Sequence, residues 1–220
     1  MSPVPAPALS LVSADPYVPF AIAAAAGYFL GALPFGYLVA KRHGVDIFSA
    51  GSCNPGATNV KRVVGKAAGN LVFLLDFVKG AVASAWVHVI AAEPPATVAW
   101  LGLTGLTAAI LGHSFSIFTG FRGGKGVSTA LGGAAAMMPV AALVGAGVWL
   151  ALFYSTRYVS VASMAMAAVL PVVAYFLPGD RVVFGFAAIL AVFVIVRHRE
   201  NIKRLLHGTE NRFPRRKNAP

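Results

Sequence analysis

The sequence predicts an all-α integral membrane protein of about seven transmembrane helical segments, with the N-terminus outside and the C-terminus cytoplasmic. Three observations carry this. Of 220 residues, 58% are hydrophobic and only 11% charged, against about 25% charged in a soluble domain. Mean hydropathy is +0.74. Apolar runs recur along the chain at lengths near the roughly 20 residues that cross a ~30 Å hydrocarbon core. The net charge of +11 is gathered in the connections between runs, where basic residues mark the cytoplasmic side. No stretch keeps the strand alternation of a membrane barrel, and no polar block is long enough for a second domain. The expected organisation is a short external tail (1–16), one transmembrane helical domain (17–200) with cytoplasmic motif loops at 41–66 and 112–126, and a basic cytoplasmic C-terminal segment (201–220).

The first residues are Pro-rich and lack the basic start of a secretory signal, so the first apolar run is expected to be an uncleaved anchor. That run covers about Tyr17 to Ala40. Lys41, Arg42, Lys61, Arg62 and Lys66 follow it, against Asp46 alone, while only Asp15 precedes it. The loop between Lys41 and Lys66 therefore faces in. A second span, about Ala67 to Ala92, carries Asp76 and Lys79 within its apolar stretch. Three residues apart, they share a helix face. A charge at mid-bilayer costs roughly 2.5–3.5 kcal/mol on insertion scales, so a structural pair inside the bundle is expected. Glu93-Pro94-Pro95 makes an outer turn, and about Ala96 to Leu111 returns to the inner face.

Three further runs follow, at about 127–153, 160–177 and 181–196. Three crossings would put the C-terminal tail outside, yet it carries Arg197, Arg199, Lys203, Arg204, Arg212, Arg215, Arg216 and Lys217 against Glu200 and Glu210. The positive-inside bias opposes that placement. A break at Met137-Met138-Pro139 restores the parity, because Pro139 has no N–H and clashes with the preceding turn. The halves, about Val127 to Met138 and Pro139 to Phe153, are rich in small residues suited to close packing. Six spans are the alternative if this run crosses once. Asp180-Arg181 then form an outer turn.

Three polar stretches share the cytoplasmic side. The first, Gly51 to Asn59 followed by Arg62, combines hydroxyls, amides and glycines. It reads either as a turn before a helix capped by Thr58 or Asn59, or as a site where donors and Arg62 meet an oxyanion. The second, Gly112 to Gly126, sets His113, Arg122 and Lys125 among glycines whose backbone N–H groups can converge on an anion. It is not a nucleotide P-loop: Thr119 stands where that pattern needs its first Gly, and Gly126 where it needs Ser or Thr. The dinucleotide fingerprint fails at Thr129. The third, Arg197 to Arg204 continuing to Asn211, is an amphipathic basic helix suited to anionic lipid. That reading explains its Lys and Arg better than His198 and Asn201, which lie three apart on one face. His43 and His207 read as solvated, His88, Met164 and Met166 as packing, and Trp86, Trp100 and Trp149 as interfacial or core aromatics. Cys53 is the one cysteine, so no intrachain disulfide forms, and no metal ligand set is suggested.

Taken together, GSCNPGATNVKRVVG, GHSFSIFTGFRGGKGVSTALG and RHRENIKRLLHGTEN resemble the three motifs of the bacterial acyl-phosphate:glycerol-3-phosphate acyltransferase family, with LLDFVKG at 74–80 as a further shared segment. The resemblance covers about Gly31 to Asn211. It implies transfer of a fatty acyl group from acyl phosphate to the 1-hydroxyl of glycerol 3-phosphate, without cofactor or metal, in the bacterial plasma (inner) membrane with the site facing the cytoplasm. It implies membrane lipid, not nucleic acid, as the surrounding partner, and a functional link to the enzyme supplying acyl phosphate. By motif position, Ser52, Arg62 and Lys125 would hold the phosphate of glycerol 3-phosphate. Asn54, Thr58, Asn59, Gly123, Gly124 and Gly126 would hold the acyl-phosphate head. His198 and Asn201 would contact the glycerol hydroxyls and, with Lys125, serve catalysis; Ser163 is a further candidate. Either His198 or an acyl-phosphate oxygen takes the hydroxyl proton. The sequence departs from the family pattern at Cys53, where Gly is common, at Ser116, where Pro is common, and at Arg122, often Lys. The alternative function is a transporter or binding protein for organic phosphates, which would place cations among broken helices and along a path to the outer face; the outer loops here are short and nearly uncharged.

Overall fold

The computed structural model describes residues 15, 17–90, 95–177 and 181–214, the side chains of 88–90 and 95 excepted. The expected tail apart from Asp15, most of the turn at Glu93-Pro94-Pro95, Asp180, the His88 side chain and the basic residues Arg215, Arg216 and Lys217 lie outside that description. The described residues are all-helical, with no strand among them. They pack as two compact units divided between Met137 and Met138.

The first unit contains α1 (Val18–Ala32), α2 (Phe35–Arg42), α3 (Ala57–Val63), α4 (Lys66–Ile90), α5 (Pro95–Ser114), a 3-10 turn (Ile117–Thr119) and α6 (Val127–Met137). The first apolar run is thus two helices. Leu33, preceding a proline, is held extended at φ −54°, ψ 114°, as expected before Pro, and Pro34 starts α2. The carbonyls freed by the break are satisfied by other elements: Ser116 Oγ donates to Ala32 O at 2.6 Å and Lys79 Nζ to Leu33 O at 3.1 Å.

Helices of this unit meet through small residues. A Cβ at Gly27 would lie 2.3 Å from Gly105 O, and one at Gly31 2.1 Å from Ala109 O, so α1 and α5 touch backbone to backbone. Likewise α4 meets α6, with Gly80 against Thr129 O and Gly132 against Phe77 O. Such contacts replace the hydrophobic drive that is absent between helices in lipid. Large apolar side chains such as Phe29, Leu71, Leu74 and Val78 point outward instead. Asp76 and Lys79 are both 2% exposed and form the expected i,i+3 pair at 2.8 Å. They are joined by His113, whose Nδ1 lies 3.5 Å from Asp76 Oδ1.

The second unit contains α7 (Pro139–Thr156), α8 (Val159–Phe176), α9 (Arg181–Arg197) and α10 (Arg199–Leu206). Met138, at φ −140°, ψ 64°, separates α6 from α7, so the helix break falls where Pro139 predicts it. The two pieces are unequal. α6 has 11 residues, about 16 Å at 1.5 Å per residue, while α7 runs on to Thr156 and is long and apolar enough to span alone. By length and composition five described helical segments qualify as spans, or six if α9 and α10, bent by 55°, count as one. The C-terminal segment folds back on the α7–α8 turn: Phe213 N donates to Arg157 O at 3.0 Å and Arg212 Nε to Thr156 O at 3.0 Å.

Candidate active site

The first motif is a loop wound around one amide. Asn59 is 2% exposed. Its Oδ1 accepts from Ser52 N at 2.9 Å, and its Nδ2 donates to Ala50 O at 2.9 Å and Asn54 O at 3.0 Å. With all three contacts inside the loop, Asn59 fixes where Ser52 stands. Neither Asn59 nor Thr58 caps α3: the N-cap is Gly56, whose N–H is bound by Asn54 Oδ1 at 2.9 Å. The cap expected from the residue types is displaced because the Asn59 side chain turns back to the loop. Cys53 sits at φ 52°, a conformation that costs an L-residue roughly 1–2 kcal/mol, which explains why glycine suits this position. Ser52, Thr58 and Arg62 are half-buried.

The second motif begins where α5 ends. Ser116 accepts from Phe118 N while donating to α1, so this serine performs a join that proline would not. The chain reverses through Gly120 and Phe121, both at positive φ, and Thr119 Oγ1 donates to Arg122 O at 2.6 Å. The glycine pair then packs on His113. Gly124 N donates to His113 O at 3.0 Å. A Cβ on Gly123 would meet that same carbonyl at 2.1 Å, and one on Gly124 would meet the ring Nε2 at 2.1 Å. These glycines are therefore required by the histidine beneath them. The half-buried Lys125 follows, and Gly126, at φ 79°, turns the chain into α6. Lys125 thus stands at a helix N-terminus, where N–H groups and dipole favour an anion.

The two motifs touch. Asn54 Nδ2 donates to Gly123 O at 3.3 Å, the Arg122 guanidinium lies 4.1 Å from the Phe48 ring centroid, and Gly36 on α2 abuts Pro55 O. A narrow cleft here is lined by Leu33, Pro55, Asp76, Lys79, His113 and Arg122 among others.

In the second unit, the α9–α10 bend centres on His198, which is 3% exposed. Its Nδ1 lies 2.7 Å from Val194 O. A carbonyl only accepts, so Nδ1 carries a proton, and in the neutral ring Nε2 is the basic nitrogen. Asn201, 6% exposed, donates Nδ2 to Glu210 Oε1 at 2.6 Å. Glu210 also accepts from Ser160 Oγ at 2.8 Å and from Arg204 Nε at 2.7 Å. Ser163, 3% exposed, accepts from Trp149 Nε1 at 3.2 Å. Glu210 was legible in sequence only as an isolated acid in a basic stretch, and His113 only as one of three cationic types near the glycines. Neither signal named a partner.

Burial raises the Glu210 carboxyl, but hydrogen bonds from Asn201, Arg204 and Ser160 and the Arg204 charge outweigh it, and the group titrates below its usual 4.5. A depressed carboxylate pKa contributes stability that is fully present above the unfolded value and lost as pH falls through the folded one. Thermal unfolding in detergent should therefore show Glu210→Gln less stable than wild type at pH 7, with the gap closing below about pH 4. An equal gap at pH 7 and pH 3.5 would count against this network.

Comparison with known proteins then places the chain among relatives. A family model described as glycerol-3-phosphate acyltransferase matches residues 21–208. The glycerol-3-phosphate acyltransferase of Aquifex aeolicus is 46% identical over 188 residues, covering 84% of this chain and 95% of that protein. That of Geobacter sulfurreducens is 41% identical over 192 residues, covering 87% and 96%. Two crystal structures of PlsY (YgiH), an integral membrane glycerol 3-phosphate acyltransferase, are each 40% identical. The glycerol 3-phosphate form superposes with TM-score 0.82 over 89% of this chain and 96% of the other. The lysophosphatidic acid form superposes with TM-score 0.79 over 89% and 95%.

Proposed function

The chain belongs to the glycerol-3-phosphate acyltransferase family, and from that premise we propose that it takes its acyl group from acyl phosphate and delivers it to the 1-hydroxyl of glycerol 3-phosphate. It is an integral membrane enzyme that acylates glycerol 3-phosphate, which replaces the transporter alternative. The products are 1-acyl-glycerol 3-phosphate and inorganic phosphate. The glycerol oxygen bonds to the acyl carbon, the acyl–phosphate C–O bond breaks, and the hydroxyl proton leaves with a base. Acyl phosphate is a mixed anhydride and already activated, so proximity of two bound anions, worth roughly 7–11 kcal/mol in favourable cases, serves in place of a covalent intermediate.

The observation that supports this reading best is the tie between the first two motifs. The Asn54–Gly123 bond sets a loop of hydroxyls beside a turn that carries Arg122 and Lys125 to a helix N-terminus. We assign Ser52, Arg62 and Lys125 to the phosphate of glycerol 3-phosphate, and Thr58 with the Gly123 and Gly126 backbone to the acyl-phosphate head. Asn54, Asn59 and Gly124 serve by holding these groups in place. In the second unit, His198, Asn201 and Ser163 keep the role of addressing the glycerol hydroxyls. Nε2 of His198 is the nitrogen suited to accept a hydroxyl proton, and Glu210 orients the Asn201 amide. The exposed cations Lys41, Arg42, Lys66, Arg199 and Lys203 support a cytoplasmic site in a bacterial inner membrane, where an enzyme making acyl phosphate would supply the donor.

The test is direct. Purified protein supplied with acyl phosphate and labelled glycerol 3-phosphate, without CoA or added metal, is expected to form labelled lysophosphatidic acid. Product formed with acyl-CoA and none with acyl phosphate would overturn the donor assignment.

A further inference from the structure

The mechanism above leaves unused the buried cluster of Asp76, Lys79 and His113. Its geometry is directional. Lys79 Nζ binds Asp76 Oδ1 at 2.8 Å and Leu33 O at 3.1 Å. Asp76 Oδ1 lies 3.5 Å from His113 Nδ1. The opposite edge of the imidazole, at Nε2, faces Gly124 closely enough that one methyl group there would collide with it. The His113 carbonyl binds Gly124 N. The next residue is Lys125. One side of His113 is thus fixed to a charge pair anchored at the α1–α2 break, and the other side forms the floor of the turn that carries Lys125. A carboxylate at Nδ1 sets the orientation of an imidazole, and a buried charge pair has few alternative geometries because either ion alone is costly.

We propose that His113, oriented by Asp76 and Lys79, is a positioning residue that sets the Lys125 ammonium for the phosphate of glycerol 3-phosphate. The inference rests on the assignment of Lys125 above. It makes the LLDFVKG segment part of the catalytic apparatus by reach through His113, without contact to substrate.

His113→Asn separates this role from folding. Asparagine keeps a polar atom near the Nδ1 position for Asp76 and loses the ring edge under Gly124. Binding of glycerol 3-phosphate alone to the full-length protein in detergent is measured for wild type, His113→Asn, Lys125→Met and the double variant, alongside thermal unfolding. His113→Asn is expected to unfold near the wild-type temperature and to bind about 10-fold more weakly, a change of ~1.4 kcal/mol. The double variant is expected to bind no more weakly than Lys125→Met, because both changes act through one group. If the two losses multiply, or if a stable His113→Asn binds as wild type does, the positioning role is overturned. If Lys125→Met itself binds as wild type does, the failure lies with the Lys125 assignment, and the positioning role falls with it. Should His113→Asn not fold, His113→Gln, which extends to the Nε2 position, supplies the same cycle under the same two criteria.

Discussion

Lys125→Met is expected to lower kcat/KM for glycerol 3-phosphate by about 10²–10³, the loss seen when one preorganised donor to a developing charge is removed. The unfolding temperature in detergent should stay close to that of wild type. Methionine fills nearly the same volume on a similarly flexible stem while removing the charge and its N–H donors. The position is half-buried, so the ammonium acts with less solvent screening than a surface lysine would. The flanking turn is held by backbone contacts of Gly124 with His113, not by the lysine side chain alone, and should keep its shape. Steady-state kinetics with varied glycerol 3-phosphate decide the matter. A variant with kcat/KM within about 3-fold of wild type would remove Lys125 from the phosphate site.

The second large effect concerns the fold. Gly31→Leu should prevent stable assembly of the first unit, because even the first carbon of the new side chain would fall 2.1 Å from Ala109 O. Overpacking in a core costs about 1–3 kcal/mol when side chains can give way. Here the obstacle is helix backbone, and α1 and α5 must separate along their contact. Gly147→Ala is the matched control, since nothing lies within 4 Å of a Cβ there and alanine favours the helix. Size-exclusion profiles and unfolding temperatures should show Gly31→Leu aggregated or unrecoverable and Gly147→Ala at or above wild type. A monodisperse Gly31→Leu with wild-type stability would contradict the close α1–α5 contact.

Much of the helical order was legible because run length and proline placement are local signals. All seven apolar stretches form helices, and Pro139 marks a real break. Pro34 did not announce the break between α1 and α2, since a proline in an apolar span is compatible with a simple kink when neighbours repair the lost bonds. The repair comes from Ser116 and Lys79, which lie 84 and 46 positions along the chain from the carbonyls they bind and meet them only in the fold. The motif residues were legible as chemical types. Their division of labour was not. Asn59 offers the same amide to a ligand or to a loop, and only its three partners show that it serves the loop. The glycines before Lys125 suggested room for an anion, whereas Gly123 and Gly124 are small because His113 lies against them. Asn201 reads in the sequence as a ligand contact, and its bond to Glu210 exists only in the fold.

The Asp76–Lys79 pair also bears on how the protein is made. A nascent α4 carries both charges into the bilayer, where each alone costs roughly 2.5–3.5 kcal/mol to insert. Spaced at i,i+3 on one helix, they neutralise each other before any neighbour arrives. A further N–H of the ammonium group has its acceptor in Leu33 O, 46 residues upstream, on a segment synthesised before α4. Synthesis from the N-terminus therefore presents α4 with a docking point already in the membrane, and the chain's order of emergence matches the order in which its charges need partners.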